Sequence, residues 1–442
     1  MPETTPLRVA IVGAGIAGLG AAIALQKHDG IDVQLYERAH QLQEIGASIA
    51  LGPNGMRTLE RLGVHEALED DVAFRNKSGR PMVYRDFQPN RHWKTNEVVS
   101  VDHHRGKVEY RHQTARYYRP HLQQALLAHI DPSRIHTGKA FAAVEELHHQ
   151  GDDTLLVSFA DGSTVTADVL LGADGINSAV RRSFVPSSAP KWTGWVAFRS
   201  VFDAKLVEHI PGVLEEANHW WGHDRTFFAS RLGRDLFTVV GGWHGDPDAH
   251  AGSPYQASTW NSDGDVAVLR EYYKDWHPVV RQMIDASPYT RLYPNTFASS
   301  LESWVHGGGR VTYAGDAAHA HGGAFAAGGS LALDDAYAFA LAIFHVYPPG
   351  SAHKPGEAGI RTALGLYEQT RKAHTDRVLS TVREGNKKKV ESLGRTETDE
   401  QLRRRMSDRA DPAWIHEHDV EAAFAQAVER EGKTPTAEQA RL

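Results

Sequence analysis

The sequence predicts an α/β fold with α+β character. A parallel-sheet domain is interrupted by an inserted, mostly antiparallel sheet and is followed by a helical C-terminal region. Residues 7–37 alternate a strand, a helix of small residues and a second strand. Two later strand-like runs, at 168–175 and 310–316, lead into a glycine and an aspartate. Residues 192–245 are rich in Trp, Phe and Val with short period-two stretches, which favours antiparallel strands.

The first strand–helix–strand unit carries the spacing of a dinucleotide site. An apolar strand breaks at Gly13, and glycines recur at Gly15 and Gly18 before the helix. Gly13 makes the tight turn, Gly15 lets a pyrophosphate approach the backbone, and Gly18 permits close helix–strand packing. The second strand ends at Glu37, an acid placed to accept hydrogen bonds from a ribose. The helix N-terminus offers N–H groups to phosphate, and the same predicted loop contains Ala14, Ile16 and Ala17.

A signal peptide or membrane segment explains this stretch poorly. It begins with Pro2 and Glu3, is diluted by glycines and lacks a basic leader. The longest later apolar run, 338–347, is too short to span a bilayer. We therefore predict no membrane association.

Composition excludes further classes of function. With 48 basic and 55 acidic residues the net charge is −7, which gives no electrostatic case for nucleic acid. The chain has no cysteine, which excludes disulfides and thiolate chemistry. Of its 26 histidines, the pairs His103-His104 and His148-His149 invite a metal interpretation, but they lie in polar, loop-like surroundings without a partner carboxylate at ligand spacing, so no metal site is predicted. We expect a cytoplasmic protein; residues 440–442 resemble a peroxisomal address, which remains the alternative.

The patterns divide the chain into three parts. Residues 1–75, 100–185 and 280–355 are predicted to form a discontinuous nucleotide-binding domain. Residues 76–99 and 186–279 form the inserted sheet domain, and 356–442 form the helical C-terminal region.

Five motifs stand in a specific order along the chain. They are the glycine motif, the distal acid Glu37, an Arg-x-x-Leu at 119–122, GADGINSAVR at 172–181 and GDAAHA at 315–320. This order resembles the FAD-dependent aromatic hydroxylases, the group A flavoprotein monooxygenases, and most closely salicylate hydroxylase-like enzymes. The resemblance covers nearly the whole chain, but the inserted sheet is matched only in outline, through 192–199. It implies a Rossmann-like FAD-binding domain with an inserted substrate-binding sheet domain.

The resemblance also implies which residues hold FAD, and they come from all five motifs. They are Gly13, Ala14, Gly15, Ile16, Ala17 and Gly18 at the pyrophosphate, Glu37 and Arg38 at the adenosine, Arg119 at the pyrophosphate or the incoming nicotinamide nucleotide, Asp174 and Gly175 beside the pyrophosphate, Gly315 and Asp316 at the ribityl chain, and Gly328 and Gly329 in the loop against the flavin ring.

Candidate substrate residues lie in the inserted sheet and in the flavin loop, residues 317–329. Arg199 and Arg231 stand on strand-like runs among aromatics, where an arginine could clamp a carboxylate. Trp243 ends the next strand as a candidate pocket wall. His321 could orient a phenol or relay its proton, because an imidazole titrates near neutral pH. Arg199 and His321 are the predicted catalytic pair; a solvent-facing arginine and a core tryptophan are the alternatives for Arg231 and Trp243.

The reaction implied by the resemblance uses FAD, with NADH or NADPH as electron donor. O₂ then forms a flavin C4a-hydroperoxide that hydroxylates a phenolic aromatic acid, salicylate- or hydroxybenzoate-like, with or without loss of CO₂. The partners are thus the small aromatic substrate and O₂, and the protein is expected to be a monomer or homodimer. Alternatives are a flavin-dependent epoxidase or reductase of an isoprenoid or quinone, and a flavin-binding protein without hydroxylase activity.

The flavin loop departs from the family pattern. Gly323 stands where relatives carry proline, and Ala326 replaces the first glycine of a pair of which Gly328 remains. Gly323 is more flexible than proline and leaves room near the flavin. Ser48 stands where relatives often carry glycine. We predict either a variant loop of normal function or altered handling of the oxygen adduct.

Overall fold

The protein's structure, a computed structural model, describes residues 5–42, 46–86, 98–148, 153–223, 225–245, 255, 258–392 and 397–433. The tripeptide at 440–442 lies outside the described residues.

Nineteen strands are found in the described part of the chain. They are β1 (Leu7–Val12), β2 (Ile31–Glu37), β3 (Ser48–Leu51), β4 (Phe74–Arg75), β5 (Val83–Asp86), β6 (Val98–Val101), β7 (Ala115–Tyr118), β8 (Ile135–Thr137), β9 (Phe141–Leu147), β10 (Thr154–Phe159), β11 (Thr164–Ala167), β12 (Val169–Gly172), β13 (Lys191–Asp203), β14 (Asn218–Trp221), β15 (Thr226–Arg231), β16 (Leu236–His244), β17 (Ser262–Gly264), β18 (Thr290–Phe297) and β19 (Val311–Tyr313).

Twelve α-helices accompany these strands within the same described ranges. They are α1 (Ile16–Leu25), α2 (Pro53–Leu62), α3 (Arg119–Leu127), α4 (Ala179–Phe184), α5 (Val266–Tyr272), α6 (Pro278–Asp285), α7 (Asp316–His319), α8 (Gly328–Val346), α9 (Glu357–Ser392), α10 (Asp399–Ser407), α11 (Ala413–His416) and α12 (Val420–Lys433).

A five-stranded parallel sheet forms the first layer, in the order β19-β12-β1-β2-β8. Its strands are mostly apolar and buried, as expected for a parallel sheet covered on both faces. Parallel strands bring their carboxyl ends to one edge, where ligands of such sheets bind. The predicted turns after β1, β12 and β19 therefore meet at one edge.

An eight-stranded sheet forms the inserted domain, in the order β17-β18-β13-β16-β15-β14-β5-β6. Its neighbours are antiparallel except for β14 and β5. Side chains alternate along the central strand β13: Val196 and Phe198 pack into a core that also includes residues of α5 and α6. Ala197 lies on the other face and packs with Ala47 of the first domain. We call this second face of the sheet, which carries Ala197, Arg199 and Tyr293, the inner face.

Helix α8 is the central helix of the first domain. Among the described residues it is the one helix long and apolar enough to cross a membrane, and 72% of that stretch is buried inside the protein. It packs against α1, α2 and α9. Small residues allow the close approach: a Cβ on Gly20 of α1 would lie 3.0 Å from the Cβ of Ala336.

Two adjacent carboxylates are buried in this otherwise apolar helix. Asp335 accepts hydrogen bonds from the Gly315 N–H (2.8 Å), from His319 Nε2 (2.5 Å) and from Arg371 Nε of α9 (2.8 Å). Asp334 lies 3.9 Å from Arg371 and accepts from residues of α2. Burial raises the pKa of Asp335, but His319 and Arg371 outweigh this and hold it at about 2. One ionic cluster therefore joins α2, α7, α8 and α9.

Several predicted elements differ in extent. The sequence pattern predicts helices over about 53–62, 119–130 and 266–283. Helix α2 has the first of these bounds, but α3 ends at Leu127 rather than at residue 130. The third predicted helix is two helices, because Pro278 begins a new one with His277 as its cap. The eight-stranded sheet continues through β18 to Phe297, beyond the expected boundary at 279, since β18 pairs with β13.

The buried cluster predicts a large stability effect. Arg371→Leu leaves Asp335 and Asp334 without their shared cation, and we expect the free energy of unfolding to fall by about 3–5 kcal/mol. Lys372→Ala is the matched control, because its ion pair with Asp376 lies near the surface, and we expect a loss of about 0–1 kcal/mol. Urea unfolding followed by circular dichroism measures both; equal losses would contradict the role of the cluster.

Candidate active site

The turn after β1 is built by three glycines with different surroundings. Gly13 has φ +107°, and a Cβ there would lie 2.4 Å from the carbonyl oxygen of Ala173 in the next turn. A Cβ on Gly18 would lie 2.0 Å from the Gly13 carbonyl oxygen. A Cβ on Gly15 would meet no atom within 4 Å. Gly13 and Gly18 are thus required by the protein's own packing, whereas Gly15 borders open space at the start of α1.

Glu37 lies beside this turn at the end of β2. Its Oε2 accepts a hydrogen bond from the Ala14 N–H (2.9 Å), and its Oε1 accepts from Ala39 (2.9 Å). Arg38 follows as an exposed residue. The acid and the glycine turn predicted to flank one nucleotide are therefore adjacent in space.

The turn after β12 places Asp174 over the start of α4. Its Oδ2 accepts from the N–H groups of Ala179 (2.7 Å) and Val180 (3.2 Å). Its Oδ1 is buried and has no hydrogen-bond partner. Gly175 has φ +77° and borders open space. A buried carboxylate oxygen without a partner indicates a missing hydrogen-bond donor at this turn.

The turn after β19 is the third of the three turns at this edge of the parallel sheet. Gly315 has φ +61°, and a Cβ there would lie 3.2 Å from the Cβ of Ala17 in the first turn. Its N–H is held by Asp335 of the buried cluster. Asp316 begins α7 with an exposed side chain. The three turns therefore lie next to one another at one edge of the sheet.

Arg181 joins the second and third turns, and sequence reasoning did not select it. Its Nη1 donates to the Ala317 carbonyl (2.7 Å), and its Nη2 donates to the Ile176 carbonyl (2.5 Å). Asp335 was missed as well. Both had a signal: Arg181 closes the GADGINSAVR motif, and Asp335 is an acid inside an apolar helix.

Arg199 occupies the inner face of the eight-stranded sheet, next to the flavin loop. Its guanidinium carbon lies 5.3 Å from the ring centre of Tyr293. Burial lowers the pKa of Arg199 to about 10, Tyr293 raises it and the nearby charge of Arg119 lowers it. Among the described residues no carboxylate pairs with this guanidinium, and its Nε has no acceptor. The inner face thus carries an uncompensated positive charge, and Arg119 acts on this region.

His321 lies in the flavin loop and is 2% exposed. Neither ring nitrogen has a hydrogen-bond partner among the described residues. Its Cε1 lies 3.5 Å from the position of a Cβ on Gly328 at the start of α8, while Gly329 packs on Ile49 of β3. Burial lowers the pKa of His321, against the charge of Asp316, which raises it. The ring is therefore buried without a well-formed hydrogen bond to either nitrogen, and the backbone of His319 and Ala324 lies close enough to raise its pKa in part.

Arg231 and Trp243 do not join Arg199, which corrects their predicted substrate contacts. In the strand register Arg231 lies opposite Phe237 and Trp243 opposite Val196, and both of these partners belong to the core on the other face of the sheet. Arg231 forms an ion pair with Asp235. Trp243 stacks at 6.4 Å on Trp192. The alternation of strand side chains separates these residues from the inner face.

The flavin loop adopts an uncommon backbone. Gly322 and Gly323 have φ +70° and +67°, and the non-glycine residues Phe325 and Ala326 also have positive φ, +57° and +53°. Ala324 and Phe325 pack on residues of α9 and α11. The C-terminal region thus holds the strained loop from outside. Ser48 contacts the inserted sheet, where its Oγ accepts from Thr238 (3.1 Å).

No group of three or more histidine or carboxylate side chains suited to a metal ion occurs in the part of the chain that the structure describes. The residues at the sheet edge instead fit FAD. Gly15 and Gly175 leave open backbone where a pyrophosphate needs it, and Asp174 fixes the second turn through the N–H groups of Ala179 and Val180.

Comparison with known proteins agrees with this site. Residues 6–382 match the family model of the FAD binding domain. The chain is 30% identical over 398 residues to 3-hydroxybenzoate 6-hydroxylase of Klebsiella oxytoca, covering 86% of this chain and 87% of that one. It is 29% identical over 381 residues to 6-hydroxynicotinate 3-monooxygenase of Pseudomonas fluorescens, covering 84% and 89%.

The fold is shared with solved structures. A salicylate hydroxylase in complex with its substrate superposes with a TM-score of 0.77 at 22% identity, covering 96% of this chain and 98% of that one. The family match, the relatives and the three adjoining turns lead to the same conclusion: the chain belongs to the FAD-dependent aromatic hydroxylases, which are flavoprotein monooxygenases that use NAD(P)H.

Proposed function

We propose that this enzyme hydroxylates a phenolic aromatic acid whose carboxylate is held by Arg199 and whose phenol proton is taken by His321. The observation that carries the proposal is the guanidinium of Arg199, which is next to the flavin loop and has no carboxylate partner among the described residues. A partly buried cation of this kind is stabilised by an anionic ligand. The relatives support this class, since their names include a hydroxybenzoate and a hydroxynicotinate.

FAD, when bound, accepts hydride from NADH or NADPH and activates O₂. In the proposal the open backbone at Gly15 and Gly175 receives its pyrophosphate, and Asp174 fixes the turn beside it through the N–H groups at the start of α4. Glu37 accepts from its ribose and Asp316 from its ribityl chain. Other residues predicted for this site build the turns: Gly13 and Gly18 pack them, Ala17 contacts the third turn, and Ala14 donates to Glu37.

On the substrate side, His321 accepts a proton and Arg199 orients the ring. Burial keeps His321 neutral near pH 7 by lowering its pKa, so that one ring nitrogen can accept the phenol proton. A phenolate is a more electron-rich ring than a phenol, which favours attack by an electrophilic oxygen. Arg199 orients the ring through the carboxylate.

The alternatives find less support. An isoprenoid or quinone substrate offers no anion to Arg199, so it would leave this cation uncompensated. We further propose a cytoplasmic monomer or homodimer that needs neither membrane nor nucleic acid.

Substitution of two glycines in the first turn is expected to change different quantities: FAD affinity at Gly15 and protein stability at Gly18. Gly15→Ala adds a methyl group to open space, so the protein should keep its stability while its affinity for FAD falls by about tenfold or more. Gly18→Ala clashes with the Gly13 carbonyl and should lose about 1–3 kcal/mol of stability. Thermal unfolding of the FAD-free proteins and flavin fluorescence titration separate the two effects. Unchanged FAD affinity in Gly15→Ala would remove this turn from the cofactor site.

The substrate site predicts a difference between two arginines on opposite sheet faces. Arg199→Ala should raise KM for the aromatic acid by about thirtyfold or more, because the carboxylate loses its charged partner. Arg231→Ala is the matched control and should leave KM unchanged, since Arg231 pairs with Asp235 on the other face. Acid-stimulated NAD(P)H consumption, with mass spectrometry of products across phenolic acids, measures both. No stimulation by any acid would refute the proposed function.

If His321 is the base, kcat depends on its protonation state and therefore on pH. Its lowered pKa means that His321 is the neutral base above this value and becomes protonated as the pH falls through it, so kcat should fall on the acid side. His321→Asn should lower kcat by about a hundredfold or more and remove this acid limb. His345→Asn, an exposed histidine on α8, serves as control. If the profile of His321→Asn superimposes on the original one, His321 is not the base.

A further inference from the structure

The flavin loop contains a small space bounded by two hydrogen-bond donors. At Gly323 the backbone has φ +67°, and a Cβ would lie 3.9 Å from Arg199 Nη2 and 3.9 Å from Asn295 Nδ2. Among the described residues, nothing else outside the two chain neighbours of Gly323 comes within 4 Å of that point. The absent side chain of Gly323 therefore leaves open the space between a guanidinium and an amide.

Asn295 is held in place by the inserted sheet and by the loop. It lies on β18, two residues beyond Tyr293 and thus on the same inner face as Arg199. Its side chain is 6% exposed, its Nδ2 donates to the Gly322 carbonyl and its Oδ1 is buried without a partner. A Cβ on Gly322 would lie 2.2 Å from this Oδ1. The Nδ2 group, which has a second N–H, is the part of the amide that borders the open space, and an N–H there suits a ligand that accepts a hydrogen bond.

The positive charges beside this space favour an anionic ligand. Arg199 carries its charge without a carboxylate partner among the described residues, and Arg119 adds a second positive charge nearby. A hydrogen-bonded oxygen lies about 2.7–3.2 Å from each donor nitrogen. Each of the two nitrogens lies 3.9 Å from the Cβ position, so an oxygen bound in this space is close to both donors.

We propose that Gly323 and Asn295 are specificity-determining residues that form, with Arg199, a subsite for one carboxylate oxygen of the substrate. The proposal rests on the function proposed above and adds to it how acids are distinguished from neutral ring analogues. It also gives the departure at residue 323 a function. Proline needs φ near −65°, so the conformation that opens this subsite excludes the residue that relatives carry there.

The subsite is tested by comparing an aromatic acid with its primary amide, which has the same shape and no charge. The FAD-loaded enzyme is titrated with hydroxybenzoic acids and the corresponding hydroxybenzamides, and binding is read from the flavin absorbance. Gly323→Ala fills the space, and we expect it to weaken binding of the acid by about tenfold or more while the amide changes by about threefold at most. Asn295→Asp places a carboxylate at the subsite and should act in the same direction by like-charge repulsion.

A matched control isolates the cost of backbone strain. Gly350 also has a left-handed backbone (φ +84°) and no atom within 4 Å of a Cβ, but it follows α8 far along the chain from the loop. Gly350→Ala should leave both affinities unchanged. Asn295→Ala gives a second route to the answer if Gly323→Ala fails to fold, and should also reduce the preference for acid over amide.

The outcomes separate the subsite from the function. Loss of acid preference in the Gly323 and Asn295 variants supports the subsite. Equal weakening of acid and amide, or an unchanged preference, overturns it even when the unmodified enzyme still hydroxylates acids. If the unmodified enzyme neither binds nor hydroxylates any aromatic acid, the proposed function itself fails.

Discussion

The carboxylate of Asp335 is the interaction on which the candidate site depends most. It is fully buried, and it binds at once the N–H of Gly315, the ring of His319 and the guanidinium of Arg371. The first two partners lie at the two ends of α7, the short helix that leads from the turn after β19 into the flavin loop. A helix of only four residues, α7, has little stability of its own, so the charge cluster beneath it fixes the direction in which the loop leaves the sheet.

A second constraint is the contact between the three turns. Gly13 lies against Ala173, where a Cβ would lie 2.4 Å from the carbonyl oxygen and no side chain fits, and Gly315 lies against Ala17, where a Cβ would make a tight contact at 3.2 Å. Arg181 then joins the second turn to the third through backbone carbonyls. Because the turns support one another, the cofactor edge is assembled from segments about 300 residues apart. This arrangement leaves Gly15 and Gly175 as the glycines that border open space.

The C-terminal region has a structural part in the site. Phe325 and Ala326 hold left-handed backbones, which cost of order 1–3 kcal/mol each for non-glycine residues. The residues that pack on this loop come from α9 and α11, and Arg377 lies 4.0 Å from the ring centre of Trp414 within that layer. The helices that follow the two sheets thereby stabilise a loop that the flavin domain alone would leave strained. Helix α11 therefore supports the flavin loop through Trp414 and Ile415.

The sequence by itself determined the parallel-sheet domain, its glycine turns and the FAD family, because these depend on local spacing of glycines, apolar runs and acids. It also located Arg199 and His321, which the structure brings to the same flavin loop region. The tertiary structure alone decided which strand residues share a face. Arg231 and Trp243 lie on strand-like runs of the sequence, as Arg199 does. The pairing of β13, β15 and β16 nevertheless places them on the opposite face of the sheet. The tertiary structure alone also brought Asn295 and Gly323 together. Their proximity needs an antiparallel sheet and a left-handed turn, which no local sequence pattern encodes.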